Sequence, residues 1–222
     1  MTAAMDGGSL GRLIADDREL FKRLYQFNYC PAEYLHPSQR SRFVSHEHAN
    51  RLWEAPRARA TLSIMILRQL KLSGKVRFDP FLPQWPLLLL DSQRLVRLSR
   101  YVAAAVLGPQ VRKSVAREEV LQWKRTLTPE LYKFSMTVAN LLPTPSAEPV
   151  LAHGHPIEDL GLGWIDSALG GVPNELVLRT RLKYPASATP LPVRTHKAKG
   201  LVNAVLLLLE QEWCSSFATK AA

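Results

Sequence analysis

The sequence predicts an all-α, or mainly α, protein: an irregular multi-helix bundle with Pro-rich connectors. Three observations carry this. Apolar residues recur at intervals of three and four through Asp91 to Leu142, the period of one helix face. The breaks within that run are short, which makes consecutive helices pack as neighbours. Prolines gather into connectors at 78–86, 143–149 and 184–192, where a regular helix cannot run. With 222 residues, 46% of them hydrophobic and 22% charged, the chain can bury one sizeable core or two small ones. Asp6, Gly7 and Gly8 stand where a signal peptide needs a basic and then an apolar region, and no apolar run approaches the length of a membrane span. A cytoplasmic protein is expected, with Cys30 and Cys214 as thiols.

In chain order, residues 1–11 have little to bury and should fray. Leu13, Leu20, Leu24 and Phe27 share one face of a helix predicted over Leu13–Phe27, with acids early and Lys22 and Arg23 late. Phe27 to Pro37 then forms a bent, aromatic-rich clamp. Pro31 and Pro37 restrict the residues before them, so at most a short turn fits between, and Tyr29, Tyr34 and Leu35 must pack on later helices. Ser38–Trp53 reads as one partly exposed helix. Thr61–Leu72 reads as a helix buried on almost every side, ended by Ser73-Gly74, and Phe78–Pro86 as an extended strap of aromatics between prolines.

Leu95, Leu98, Val102 and Val106 make one stripe of an amphipathic helix that should stop at Gly108-Pro109, with a second helix starting at Pro109. A third follows over Glu118–Leu127. Thr128-Pro129 supplies an N-cap and a first-turn proline for a fourth, lined by Leu131, Phe134, Val138 and Leu141. Leu160–Leu169 is a helix stopped by Gly170-Gly171. Leu176–Tyr184 alternates apolar and basic residues as a strand would, yet Pro173-Asn174-Glu175 looks like a helix start, so helix is favoured and a short strand pair stays open. Lys197–Phe217 is the last helix, apolar on most sides and expected to be central. The organisation is a flexible N-terminus (1–11), a main helical domain (12–142), a Pro-rich linker (143–158) and a C-terminal helical segment packing on the main domain (159–222).

The phrase Tyr29, Cys30, Pro31, Ala32, Glu33, Tyr34, Leu35, His36 resembles the opening of the YscK-type (SctK) family, cytoplasmic accessory proteins of bacterial type III secretion sorting platforms. Leu95–Leu142, with Tyr132-Lys133-Phe134, and Gly161–Pro185 are similar to that family in order and spacing. The chain departs from it at Thr128-Pro129, where relatives tend to carry Gly. The resemblance implies a non-enzymatic cytoplasmic adaptor docked at the injectisome base. It would join the cytoplasmic domain of the SctD-type inner-membrane ring protein to the SctQ-type spoke protein, and through it to the ATPase and stator. It implies no cofactor, no DNA partner and no membrane insertion. Cys30, Pro31, Tyr34, Leu35 and His36 are then motif residues with a structural role.

The residues themselves offer no catalytic set. Phosphate loops, nucleophile elbows and zinc spacings are absent. His46 and His48 would point to different sides of a helix, His153 and His155 sit on a loop, and no third ligand joins either pair. Cys30 with His36 lacks an orienting acid. Residues 61–146 hold 13 Lys/Arg against 5 Asp/Glu, which is most of the net charge of +10. Such a field favours an anionic partner. Arg94, Arg97, Arg112 and Lys113 are the candidate partner-binding face, suited to an acidic protein surface. The alternative is a basic helical nucleic-acid-binding protein, for which Trp123 beside Lys124 and Arg125, and Tyr132 beside Lys133, would be the contacts.

Overall fold

Asp17 opens the first described helix, α1 (Arg18–Tyr29), by accepting a 3.0 Å hydrogen bond from the Leu20 backbone, as an N-cap acid does. The structure, a computed structural model, describes residues 15, 17–44, 49–137, 142, 156–193 and 197–218. Leu13, His46, His48, Val138, Leu141, His153, His155 and residues 1–11 lie outside the described residues. Every regular element among those described is helical.

Pro31 ends α1 and starts α2 (Pro31–Tyr34), the single turn that the two prolines leave room for. The stretch Ser38–Trp53 is not one helix. A 3-10 turn spans Pro37–Arg42 and a short α3 spans Ala49–Glu54. Phe43 and Trp53 join one buried cluster with Leu35, Leu62, Ile66 and Leu182; a straight helix would hold them about 15 Å apart along its axis, so the break lets both reach the same core. α4 (Arg59–Gln69) buries Leu62, Ser63, Ile66 and Leu67 but leaves Ile64 50% exposed. It is covered on one side, not on nearly all. After a loop in which Lys71 takes a φ of 54°, the strap of residues 78–84 leads into a one-turn α5 (Trp85–Leu88).

α6 (Ser92–Lys113) runs straight through Gly108-Pro109, where two helices were expected. Pro109 removes one helical hydrogen bond, at a cost of about 3 kcal/mol. Residues 101–108 are all buried, and so is Val111 beyond the proline; continuing the helix keeps Val111 in the core. α7 (Arg117–Thr126) has no buried residue, and α8 (Pro129–Met136) starts at Thr128, whose hydroxyl accepts from Leu131. α9 is Ile157–Ala168. α10 (Asn174–Arg181) settles the ambiguous stretch as helix: Leu176, Arg179 and Thr180 are its buried positions, a spacing of three and four. The terminal stretch forms two helices, α11 (Ala198–Leu209) and α12 (Gln211–Ala218), broken at Glu210. Leu207 and Leu208 are over half exposed, so α11 is buried on one side only.

Two units result. One takes the described residues up to Ser92, then Val172–Ser187 and those from Phe217; the other takes those of Gln93–Gly171 and Ala188–Ser216. The segment after residue 158 therefore contributes to both. In the second unit α9 carries Gly161 and Gly163 where other backbone passes closest. A Cβ at Gly161 would lie 1.8 Å from the Ser99 carbonyl oxygen, and one at Gly163 1.9 Å from that of Leu191. Asp159, buried, accepts from both the backbone and the hydroxyl of Thr189 at 3.1 and 3.0 Å, which anchors the connector beside Gly163. Gly161→Ala or Gly163→Ala should therefore cost about 1–3 kcal/mol or more by forcing backbone apart, read as a lowered midpoint in urea. Gly200→Ala, where nothing lies within 4 Å, should raise stability by about 0.5–1 kcal/mol; equal effects at all three sites would contradict the close-approach account.

Candidate functional site

The clamp residues hold the far end of the chain in place. His36 donates its backbone N–H to the Leu182 carbonyl at 2.9 Å, and Ser38 Oγ accepts from the Ala186 backbone at 2.8 Å. Gln39 directs its amide nitrogen at the carbonyls of Arg181, Leu182 and Tyr184, 2.9, 3.3 and 2.7 Å away. Arg181 and Leu182 carry orphan acceptors at the C-terminal end of α10, so Gln39, in the turn that follows the clamp, caps that helix. The Tyr34 hydroxyl donates to Phe27 at 2.8 Å, and the Tyr34 carbonyl accepts from Ser92. Tyr29 differs from expectation: it is 40% exposed, stacked along Tyr25, Phe21 and Phe78 on the outer side of α1. The spacing Phe21, Tyr25, Tyr29 was a readable signal of this outward aromatic row.

Two cations of α10 and its end point inward. Arg179 is fully buried, and its guanidinium donates to the carbonyls of Asn28, Glu175 and Leu72 at 3.1–3.5 Å. Asn28, also buried, donates to Leu24 and Arg77 and accepts from the Arg77 backbone. Lys183 Nζ donates to the carbonyls of Leu88 and Leu90 at 2.6 and 2.7 Å and lies 4.8 Å from the ring centre of Phe27 and 5.2 Å from that of Tyr34. Burial pushes its pKa down to about 7, with Asp91 pulling the other way. The alternation of apolar and basic residues over Leu176–Tyr184 carried no sign that Arg179 and Lys183 would be buried.

The four candidate partner-binding residues all stand on α6, at opposite ends. Arg94 and Arg97 lie in its first two turns and Arg112 and Lys113 in its last, about 25 Å away at 1.5 Å per residue. Arg112 donates to the Ser135 carbonyl at 2.7 Å, and both C-terminal cations sit where the helix dipole favours positive charge. Arg94 and Arg97 hold their side chains 45% and 54% exposed, with Glu210 3.6 and 3.9 Å away. Arg94 stacks over Trp213 and Arg97 over Tyr101. The aromatic and basic neighbours further along are engaged with each other: Lys124 lies 5.7 Å over Tyr132, and the Trp123 indole donates to Ser114 at 2.9 Å.

Cys30 and His36 are not poised as nucleophile and base. Burial, then Glu33, pushes the Cys30 thiol up, the opposite of what a thiolate needs; His36 shares its Nδ1 with Ser38 at 2.7 Å. Among the described residues no group of three or more His, Cys, Asp or Glu could hold a metal ion, and no helix is long and apolar enough to cross a membrane.

The sequence matches the family described as YOP proteins translocation protein K (YscK) over residues 23–216. The fold is similar to a solved structure of the cytoplasmic domain of the T3SS sorting platform protein PscK from P. aeruginosa. The TM-score is 0.57 at 20% identity, over 85% of this chain and 95% of that one. No curated protein sequence matches significantly.

Lys183 makes the interior of the first unit pH-sensitive. Its folded pKa, about 7, lies below the ordinary 10.5. Between those values the unfolded chain binds more proton than the folded one, so the Lys183 contribution to stability rises as pH rises from about 7 toward 10.5 and is smallest below 7. Lys183→Met should cost about 1–3 kcal/mol near neutrality, because two buried carbonyls lose their donor. Urea melts of parent and variant across that pH range check the sign: the parent's advantage should widen with pH, and a narrowing would contradict it.

Proposed function

Because the chain belongs to the YscK family, we propose that it is a sorting-platform protein of a bacterial type III secretion system. Within that assembly it is a non-enzymatic cytoplasmic adaptor docked at the base of the injectisome. It joins the cytoplasmic domain of the SctD-type inner-membrane ring protein to the SctQ-type spoke protein, which carries the ATPase and stator. The observation that carries this reading is the extent of the family match, residues 23–216, which includes the clamp as well as α6 and α9. The likeness in fold to the cytoplasmic domain of the T3SS sorting platform protein PscK supports it. So does the chemistry of the buried polar groups: Arg179, Lys183, Asn28 and Gln39 all donate to backbone carbonyls, which suits a scaffold.

The docking face is Arg94, Arg97, Arg112 and Lys113. Arg94 and Arg97 are its working part, since half of each side chain is exposed while Arg112 is committed to Ser135. Opposite charge across such a face mainly speeds association. The purified chain should bind both the ring protein's cytoplasmic domain and the spoke protein in interferometry. Arg94→Glu with Arg97→Glu should slow association with at least one of them about tenfold at low salt and flatten its salt dependence. Failure of the parent to bind either protein would sink the adaptor reading, and unchanged kinetics in the folded variant would remove this face from it.

A further inference from the structure

Arg94 and Arg97 already hold a ligand, and it comes from the chain itself. Glu210 sits at the break between α11 and α12, with φ −135° and ψ 48°. One carboxylate oxygen lies 3.6 Å from Arg94 Nη1 and the other 3.9 Å from Arg97 Nη1. Three residues on, the Trp213 ring lies under the Arg94 guanidinium, 5.5 Å from its carbon. An acid, two residues and an aromatic thus occupy the pair of arginines together. Arg97 is steadied from its other side by Tyr101, 5.8 Å away, and Tyr101 in turn donates to Glu130. The receiving surface is braced independently of the segment that fills it.

The segment's ion pairs are long. Both exceed a direct hydrogen bond, and each arginine keeps about half its side chain in water, while the Glu210 side chain is 15% exposed; solvent weakens such pairs from the arginine side. α12 has eight residues, too few to persist as an isolated helix, and Cys214 is its one buried residue among those whose burial is described. Tethering raises the local concentration of the segment to about the millimolar range.

We infer that the Arg94–Arg97 surface is a docking site for a protein segment of the form acid, two residues, aromatic, and that Glu210–Trp213 is an internal stand-in that such a segment displaces. This rests on the reading of the basic face above and names the chemistry of the partner that fits it. The partner carries a carboxylate to bridge the two guanidiniums and a flat ring to stack on Arg94. The internal copy sets a threshold: a partner without the aromatic cannot compete with a tethered segment that has it.

The test needs no secretion protein. The probe is a fluorescein-labelled peptide of this chain's own residues 207–218 carrying Cys214→Ser, titrated with the full chain and read by anisotropy. Glu210→Gln with Trp213→Ala in the full chain should empty the surface and bind the probe at least about tenfold more tightly than the parent, whose own segment competes. Binding should weaken as salt rises from about 50 to about 300 mM. Adding Arg94→Glu and Arg97→Glu to the emptied variant should abolish it. If the double variant does not fold, Glu210→Gln alone, one oxygen exchanged for an amide, should still tighten binding about threefold. A cooperatively folded emptied variant that binds the probe no better than the parent overturns the inference, as does binding indifferent to the arginine reversals. Because ring and spoke proteins are absent from this assay, that failure is distinct from their failure to bind the parent.

Discussion

An ammonium and a guanidinium sealed inside a helical unit constrain everything around them. Lys183 and Arg179 expose almost nothing to solvent, and an interior cation without partners costs several kcal/mol. Their partners are main-chain carbonyls of Leu88, Leu90, Asn28, Leu72 and Glu175. Carbonyls can be aimed only by fixing backbone. The C-terminal end of α1, the loop after α4 and the turn after α5 must therefore each stay where α10 needs them, and Asn28 ties α1 to Arg77 to the same end. The clamp and the turn after it close the arrangement: Gln39 caps α10, and Phe27 and Tyr34 lie against Lys183.

In the second unit the constraint is space. α9 brings bare backbone against the Ser99 carbonyl and the Leu191 connector through two glycines separated by one residue. Asp159 fixes that connector from within. α6 continues through Pro109, and Val111 beyond it is buried. Beyond Ser99 on the same helix, a continuous row of residues from Tyr101 to Gly108 is buried.

Where the described buried polar groups hold backbone, recognition is left to the surface. The adaptor role proposed above needs faces that are stable alone yet gain by contact. Arg94 and Arg97 fit the docking role proposed for them: they are half solvated, stacked on rings and paired with Glu210 at a helix break. Arg112 and Lys113, by contrast, have local reasons to be where they are, a carbonyl partner for one and the negative end of the helix dipole for both.

Local chemistry was legible in the sequence wherever it acts within a few residues. The all-α class, the one-turn helix between Pro31 and Pro37, the Thr128-Pro129 helix start and the stop at Gly170-Gly171 all rest on backbone restrictions or side-chain caps that a short window contains, and the family was visible in the Tyr29 to His36 phrase. What required the tertiary structure were the choices in which distant packing outweighs local preference. Pro109 stays inside a helix because Val111 is needed in the core. Ser38–Trp53 breaks because Phe43 and Trp53 must reach one cluster. The alternation around Arg179 and Lys183 held no sign of their burial, which carbonyls and aromatic rings from the N-terminal part of the chain make tolerable. Glu210 was one acid in an apolar helix until folding set it against Arg94 and Arg97. Periodicity reports which side chains prefer to leave water; only the assembled fold supplies the partners that let a charged one do so.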